Sequence, residues 1–323
     1  MSARFEPVVF RPLPRPVKPF PQETEASFLD RLAAANAMPV RCLQQPSLWL
    51  PSRLDPTDQL SVLSGQPRTS IQHAILRWEK QAWNLPQGPL AATIRWACRR
   101  CVARRTGNPD QGVMVWMSKH HDQVCVPDRL WIGRAVESPA LQFDLADFPE
   151  IVAAQQRHYR LLRRHGPHVL NRCYAKCSLF WHVLMQHGYR ISERSQRLVR
   201  LQPRPARSVR PWDPKRYAAV YPEIVTTMAL YASPYWRRLA MSTDEEDFRA
   251  FHAEFTRRLP NESPLRTTAK PWFIQQLRTI AHAIQDAAEQ NVLAGDDAAK
   301  QLQAFWLRWM SHIPTSRTGR LAS

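Results

Sequence analysis

Three cysteines lie close together in the segment WACRRCVARRTG…VWMSKHHDQVCVPDRLWIG. Cys98 and Cys101 form a C-x2-C pair, and Cys125 follows after 23 intervening residues. Two thiolates at this spacing project to a single position about 2.3 Å from a zinc ion. The neighbouring arginines favour the thiolate form, which is the form that binds metal. The three cysteines therefore predict a structural zinc site.

The fourth ligand of this site has more than one candidate. Asp128 lies three positions after Cys125, where a second knuckle would place a ligand, but a carboxylate is uncommon in structural zinc sites. His121, and His120 before it, are better donors by type. A closed four-ligand site would hold the loop together without doing chemistry. The alternative is three buried cysteines without metal, the state that we expect for Cys42, Cys173 and Cys177.

Composition excludes several classes of protein. The chain has 323 residues, 44% of them apolar, which is enough to build a core. None of its nine glycines forms a dinucleotide-binding or P-loop motif. There is no apolar run of about 18 residues, as a membrane span needs, and the start MSARFEPVVFRPLPRP lacks the apolar segment of a signal peptide. We therefore expect a cytoplasmic protein with no membrane partner.

Positive charge dominates the chain and is concentrated in one block. The formal net charge is +18, and residues 153–216 contain 13 Arg and 2 Lys against two acids. Two predicted helices carry this charge at a spacing of three or four residues: Arg157, Arg160 and Arg164 on one, and Arg190, Arg194, Arg197 and Arg200 on the other. Guanidinium groups bind phosphate oxygens bidentately, so this pattern predicts nucleic-acid binding. The alternative is a solvated helix face.

The elements around these residues are predicted to be mainly α-helical. Asp55 is a good N-cap for one short helix, Gly65 supplies a left-handed stop, and Pro67 can open a second helix with Ile71 facing inward. Two short helices joined by a glycine turn are typical of a helix-turn-helix. The second helix would expose five side chains that can contact phosphates or bases: Arg68, Thr69, Ser70, Gln72 and His73. The alternative is an ordinary helix pair that binds no DNA.

The predicted domain organisation has six segments. They are a Pro-rich basic arm (1–22), a helix-turn-helix domain (23–90), a zinc finger with minor β structure (91–135), an Arg-rich helical region with a linker (136–216), a helical C-terminal region (217–312) and a tail (313–323). Apolar stripes predict three helices in the fifth segment, at 248–255, 274–284 and 302–309. The best strand pattern is GVMVWM at 112–117.

In its first half the chain resembles the TniQ family, the target-selection proteins of bacterial transposons. The resemblance rests on five strings in order: PQETEASFLDRLAAAN, LSVLSGQP, ACRRCVARR, HHDQVCVPDRLWIG and PEIVAAQQRHYRLLRR, within residues 19–165. It implies a mostly helical protein with an N-terminal helix-turn-helix and C-x2-C…C-x2-H zinc fingers. By position Cys98, Cys101 and Cys125 match zinc ligands, whereas Asp128 stands in place of the usual His.

The resemblance also implies a role and partners. Such proteins recognise a target site, directly or by docking on a guide-RNA complex, and hand it to a transposon AAA+ ATPase and a transposase. A nuclease or transposase would instead need several carboxylates gathered around two metal ions. The acids here are accounted for by predicted helix starts, including the run from Asp244 to Asp247. We therefore expect a non-enzymatic, zinc-stabilised DNA adaptor; the alternatives are a helix-turn-helix transcriptional regulator and an RNA-binding protein.

Overall fold

The protein is mainly α-helical in a computed structural model that describes residues 11–44, 54–75, 92–108, 110–118, 120–186, 193–202, 213–259 and 271–293. Two compact units are present. The first comprises Met1–Lys119 with Val136–Phe143, and the second comprises His120–Ala135 with Asp144–Ser323. The expected helix at 302–309, the tail at 313–323 and most of the linker at 203–212 lie outside the described residues, as does Arg190.

The first unit begins with four helices. They are α1 (Glu25–Ala35), α2 (Val40–Gln44), α3 (Pro56–Ser64) and α4 (Arg68–Ala74). The predicted caps are confirmed: Asp55 accepts a hydrogen bond from the Thr57 amide, and Gly65 ends α3 with φ +65°. The second helix ends at Ala74, because Ile75 turns to extended backbone and pairs with Glu23.

The basic arm is attached to the first unit along its described part. Leu13 and Val17 pack against the core of α1–α4, and the Leu13 amide donates to the carbonyl of Leu63 at 3.0 Å. Arg15 and Asn36 exchange backbone and side-chain hydrogen bonds of 2.9 and 3.0 Å. The segment is extended, as its prolines predict, and its apolar side chains complete the core of the helices.

A β-hairpin follows the helices of the first unit. Strand β1 (Ala92–Trp96) pairs antiparallel with β2 (Met114–Ser118), and helix α5 (Arg99–Thr106) lies between them in sequence. The predicted strand at 112–117 is thus present with shifted bounds, whereas β1 was not predicted. The fully buried Glu23 bridges to this hairpin and forms an ion pair of 2.6 Å with Arg31 of α1. This pair ties α1 to the sheet.

The chain from Val124 onward forms short strands and long helices, most of them in the second unit. The elements are β3 (Val124–Cys125), β4 (Leu130–Trp131), β5 (Phe143–Asp144), α6 (Pro149–Gln186), α7 (Glu193–Leu201), α8 (Pro214–Ala232), α9 (Pro234–Met241), α10 (Glu245–Arg258) and α11 (Pro271–Leu293). A short 3-10 turn at Pro139–Leu141 precedes β5. The strands follow the order β3-β4-β5, and Val124 pairs with Trp131.

Helix α6 is two helical segments with a break at Gly166, whose φ of 77° and ψ of 163° are not helical. It packs along α8, and the Trp181 indole donates to the Thr227 hydroxyl at 2.9 Å. The predicted apolar stripes are buried: Phe248, Phe251 and Phe255 on α10, and Leu277, Ala281 and Ile284 on α11. No helix in the described ranges is long and apolar enough to cross a membrane.

Candidate metal centre and nucleic-acid interface

The C-x2-C pair lies at the start of α5, directly after β1. Cys98 is the N-cap residue and is buried, and Cys101 occupies the first turn, half-buried. A buried glutamine fixes this junction: the Gln142 amide donates to the Ala97 carbonyl and accepts from the Arg99 amide, both at 2.9 Å. Gln142 therefore fixes the backbone on both sides of Cys98.

Cys125 and Asp128 lie on the tight turn that joins β3 to β4. Their side chains approach to 3.4 Å between Sγ and Oδ2. Arg129 closes the turn with φ +50°, and its carbonyl accepts from the Leu145 amide at 2.7 Å. Behind the hairpin, the buried Gln155 side chain accepts from the amides of Gln123 and Val124 at 2.9 and 3.1 Å. The turn is therefore held rigidly on its inner side.

Four predicted ligands form one group. Cys98, Cys101, Cys125 and Asp128 each offer one ligand atom, and these atoms all lie within 4.8 Å of one another. Sulfur atoms at 2.3 Å from a tetrahedral zinc ion are about 3.8 Å apart, so three thiolates and one carboxylate at this spacing fit zinc. The cluster could hold a metal ion with its side chains as they stand.

The histidines considered as fourth ligands are not members of this group. The His121 ring lies edge-on to His158 with centroids 6.0 Å apart, and the His120 ring lies 4.9 Å from Tyr174. Burial lowers the pKa of His158 to about 3, so this ring is neutral, and its Nδ1 lies 2.8 Å from the Tyr221 hydroxyl. Both histidines at 120 and 121 thus contact aromatic rings of α6. Cys173 and Cys177 are fully buried on α6, as expected for core residues, whereas Cys42 is half-buried.

Helix α4 presents the side chains expected of a recognition helix. Ile71 is buried on its inner face, and the five candidate residues are exposed: Arg68, Thr69, Ser70, Gln72 and His73. Arg68 forms an ion pair with Asp58 of α3 at 2.7 Å. His73 Nδ1 lies 2.6 Å from the Thr69 carbonyl. The outer face of α4 is therefore polar throughout.

The arginines of α6 form a mixed set. Arg160 and Arg164 are exposed, and so is Arg163 between them. Arg157 is half-buried, and its guanidinium donates to the Thr226 hydroxyl at 3.4 Å. Its pKa is lowered first by burial and then by the positive charges of Arg258 and Arg160.

The arginines of α7 differ most from expectation. Arg194 and Arg197 are only 2% and 5% exposed, which corrects the prediction that they lie on an exposed phosphate-binding face and is also at odds with the alternative of a solvated face. Arg197 forms a buried ion pair with Glu223 of α8, and Arg194 lies over the Trp181 ring at 5.1 Å. The apolar side chain of Val199, in contrast, is 67% exposed. The helix is thus rotated, with its arginines toward acid and aromatic partners.

Two exposed or half-buried arginines remain near this helix. Arg200 is exposed; it donates to the Asp147 carbonyl at 2.7 Å and lies over the Phe148 ring at 4.7 Å. Arg258, at the end of α10, lies close enough to Arg157 to lower its pKa. Arg258 could not be predicted from the sequence as a neighbour of Arg157, because 101 positions separate the two residues. The basic last turn of α10 was the only local sign of it.

Comparison with known proteins gives no family assignment: no protein-family model, curated protein or solved structure matches this chain. The fold and the sites define a mainly α-helical protein with a Cys3Asp cluster and exposed basic surfaces.

Proposed function

We propose that the protein is a non-enzymatic, zinc-stabilised DNA-binding adaptor that selects the target site in DNA transposition. The observation that carries the DNA-binding part is the surface of α4. All five of its polar candidates are exposed, while Ile71 anchors the helix from the other side. A helix with one buried apolar face and one exposed polar face can place polar side chains against base edges without losing its packing.

The zinc ion is part of this proposal. Cys98, Cys101, Cys125 and Asp128 would hold it in a closed site. Zinc bound by four protein ligands lends folding free energy and leaves no open coordination position for chemistry. Its role would therefore be structural.

The transposition role and its partners rest on the resemblance of residues 19–165 to TniQ proteins. The proposed partners are DNA, a transposon AAA+ ATPase and a transposase, with a guide-RNA complex as the other route to the target. Action in the cytoplasm follows, since the DNA partner lies there. The acidic run of α10 supports a role without catalysis: Asp244 caps the helix by accepting from the amides of Glu246 and Asp247.

The test uses duplex DNA and the full chain. A random-sequence duplex library would be selected on the wild-type protein, and the enriched sequence would be titrated against the double variant Ser70→Ala, Gln72→Ala. Each good side-chain contact to a base is worth about 1–3 kcal/mol of discrimination. We therefore expect the variant to lose preference for the enriched sequence over a scrambled duplex. Gln275→Ala, an exposed glutamine on α11, is the matched control.

Two outcomes would contradict the proposal. One is unchanged discrimination in the α4 variant, which would remove this helix from base recognition. The other is strand cleavage by the purified wild-type chain with Mg²⁺, which would make the protein a nuclease rather than an adaptor. Selective binding of single-stranded RNA over the duplex would favour the RNA-binding alternative instead.

A further inference from the structure

A cavity of about 420 Å³ lies within the second unit, between α7, α8 and the end of α10. Its lining includes three arginines and three acids: Arg197, Arg200, Arg258, Glu150, Glu193 and Glu223. The volume is within the range of ligand-binding clefts in proteins, and the walls carry charged groups at several points. Neither the zinc cluster nor α4 contributes to it.

Most of the acids around this cavity are already engaged. Glu223 is paired with Arg197, and Glu193 lies 3.8 Å from the same guanidinium. Glu254 is shared by two cations, Arg257 and Arg258, at 2.6 Å each. One carboxylate cannot neutralise two guanidinium groups, so positive charge remains at the end of α10.

The arginines at the cavity are held with donors to spare. Among the described residues, Arg200 uses one Nη group on the Asp147 carbonyl and rests on the Phe148 ring. Arg258 uses its Nε on Glu254. Their other N–H groups can reach a ligand. The contacts with the Phe148 ring and the Glu254 carboxylate already restrict these side chains, which lowers the conformational entropy lost on binding.

The cavity wall is also backed by a third cation. Arg157 donates to Thr226, which lines the cavity. Burial first, and then the charges of Arg258 and Arg160, lower the Arg157 pKa, so three guanidinium groups lie near one another here. Guanidinium groups gathered in this way favour an anion with several acceptor oxygens.

We propose that this cavity binds a phosphate group of a nucleic-acid strand, held by Arg200 and Arg258. The inference rests on the proposed DNA-binding function and adds a phosphate site in the second unit, apart from the α4 surface. Glu150 also lines the cavity and repels an anion. Its carboxylate therefore limits the affinity, and removing its charge strengthens phosphate binding.

The first experiment measures the binding of a labelled duplex to the full chain over a series of salt concentrations. The slope of log affinity against log salt is about −0.9 for each phosphate neutralised. The double variant Arg200→Gln, Arg258→Gln should flatten the slope by about 0.9, the value for one phosphate, and Glu150→Gln should raise the affinity. The matched control is Arg238→Gln, Arg249→Gln, two exposed arginines of the same unit that do not line the cavity.

The second experiment uses inorganic phosphate alone. Phosphate should raise the melting temperature of the wild-type chain more than chloride at equal ionic strength does, and this excess should vanish in Arg200→Gln, Arg258→Gln. Equal salt slopes for the cavity variant and the control variant, with no phosphate-specific stabilisation, would overturn the proposal. Phosphate stabilisation in a chain that binds no duplex would keep the cavity as a phosphate site and overturn the proposed DNA-binding function and its nucleic-acid ligand.

Discussion

The ion pair between Arg197 and Glu223 allows a sharp test of the buried face of α7. Both side chains are about 95% buried, and the Arg197 Nε also donates to the Ala219 carbonyl at 2.8 Å. Replacing Arg197 by Met leaves the Glu223 carboxylate buried without its counter-ion, which costs about 3–5 kcal/mol. The lost hydrogen bond to Ala219 adds about 1 kcal/mol. We expect a destabilisation of about 4 kcal/mol or more at neutral pH.

The pH dependence of this loss has a definite sign. Burial raises the pKa of Glu223 even in the wild-type chain, while Arg197 opposes the rise. Without Arg197 the folded-state pKa rises further, so the variant takes up a proton at a higher pH than the wild type. The folded state then binds more protons than the unfolded state, and stability is recovered as the pH falls. The deficit should shrink by up to about 1.4 kcal/mol per pH unit between the two folded-state pKa values.

Urea unfolding followed by far-UV circular dichroism measures both effects, because the long helices of the second unit dominate the signal. Arg249→Met is the control: this residue pairs with Glu245 on the exposed face of α10 and should cost less than about 1 kcal/mol. The double variant Arg197→Met, Glu223→Leu should recover most of the loss, since two apolar groups can replace a buried pair. Equal, pH-independent losses in Arg197→Met and Arg249→Met would refute the burial of this pair.

Two other substitutions test the metal cluster and the helix pair. Cys98→Ser should lose one equivalent of zinc, measured by elemental analysis of the purified protein, and its melting temperature should fall. The control Cys42→Ser, outside the cluster, should retain the metal. Full zinc content in Cys98→Ser would exclude this thiol as a ligand. Gly65→Ala should cost about 1–2 kcal/mol or more, because its φ is +65° and the added methyl group meets Pro12 at 3.3 Å. Gly107 has a similar φ, but the space around it is open, so Gly107→Ala is the control. If thermal melting shows a larger loss of stability for Gly107→Ala than for Gly65→Ala, the packing of the arm against Gly65 is contradicted.

Features that depend on neighbouring residues were predictable from the sequence. The Asp55 cap and the Gly65 stop each need only a few adjacent positions, and both are present. The Phe248 stripe is buried for the same reason, since helical periodicity is visible in one segment. The spacing of the C-x2-C pair also determines that its two thiols project toward one point. Local chemistry therefore predicted where helices start and end, and which cysteines group.

Features that depend on distant partners were not predictable. In α7 the arginines were predicted to bind phosphate from an outer face, yet Arg194 and Arg197 are buried together with Leu201. The ion pair with Glu223 holds Arg197 on the buried face, and Glu223 lies 26 positions from Arg197, on α8. Strand β1 likewise depends on its pairing with β2, across an intervening helix. The residues near a position in sequence do not indicate such distant partners. Periodicity alone can therefore assign the exposed face of a helix wrongly when both faces contain polar groups.

The burial of Arg194 and Arg197 changes which positive charges bear on nucleic-acid binding. A guanidinium that faces a buried carboxylate contributes to folding, and little of its charge is available to phosphate. The exposed arginines of α6, Arg160, Arg163 and Arg164, differ in this respect, because Glu150 is the only acid of that helix and lies more than two turns earlier. Their guanidinium groups face solvent, and no acid of the same helix lies near enough to pair with them. The proposed nucleic-acid binding would therefore use the exposed arginines of α6 and the end of α10, and not Arg194 and Arg197.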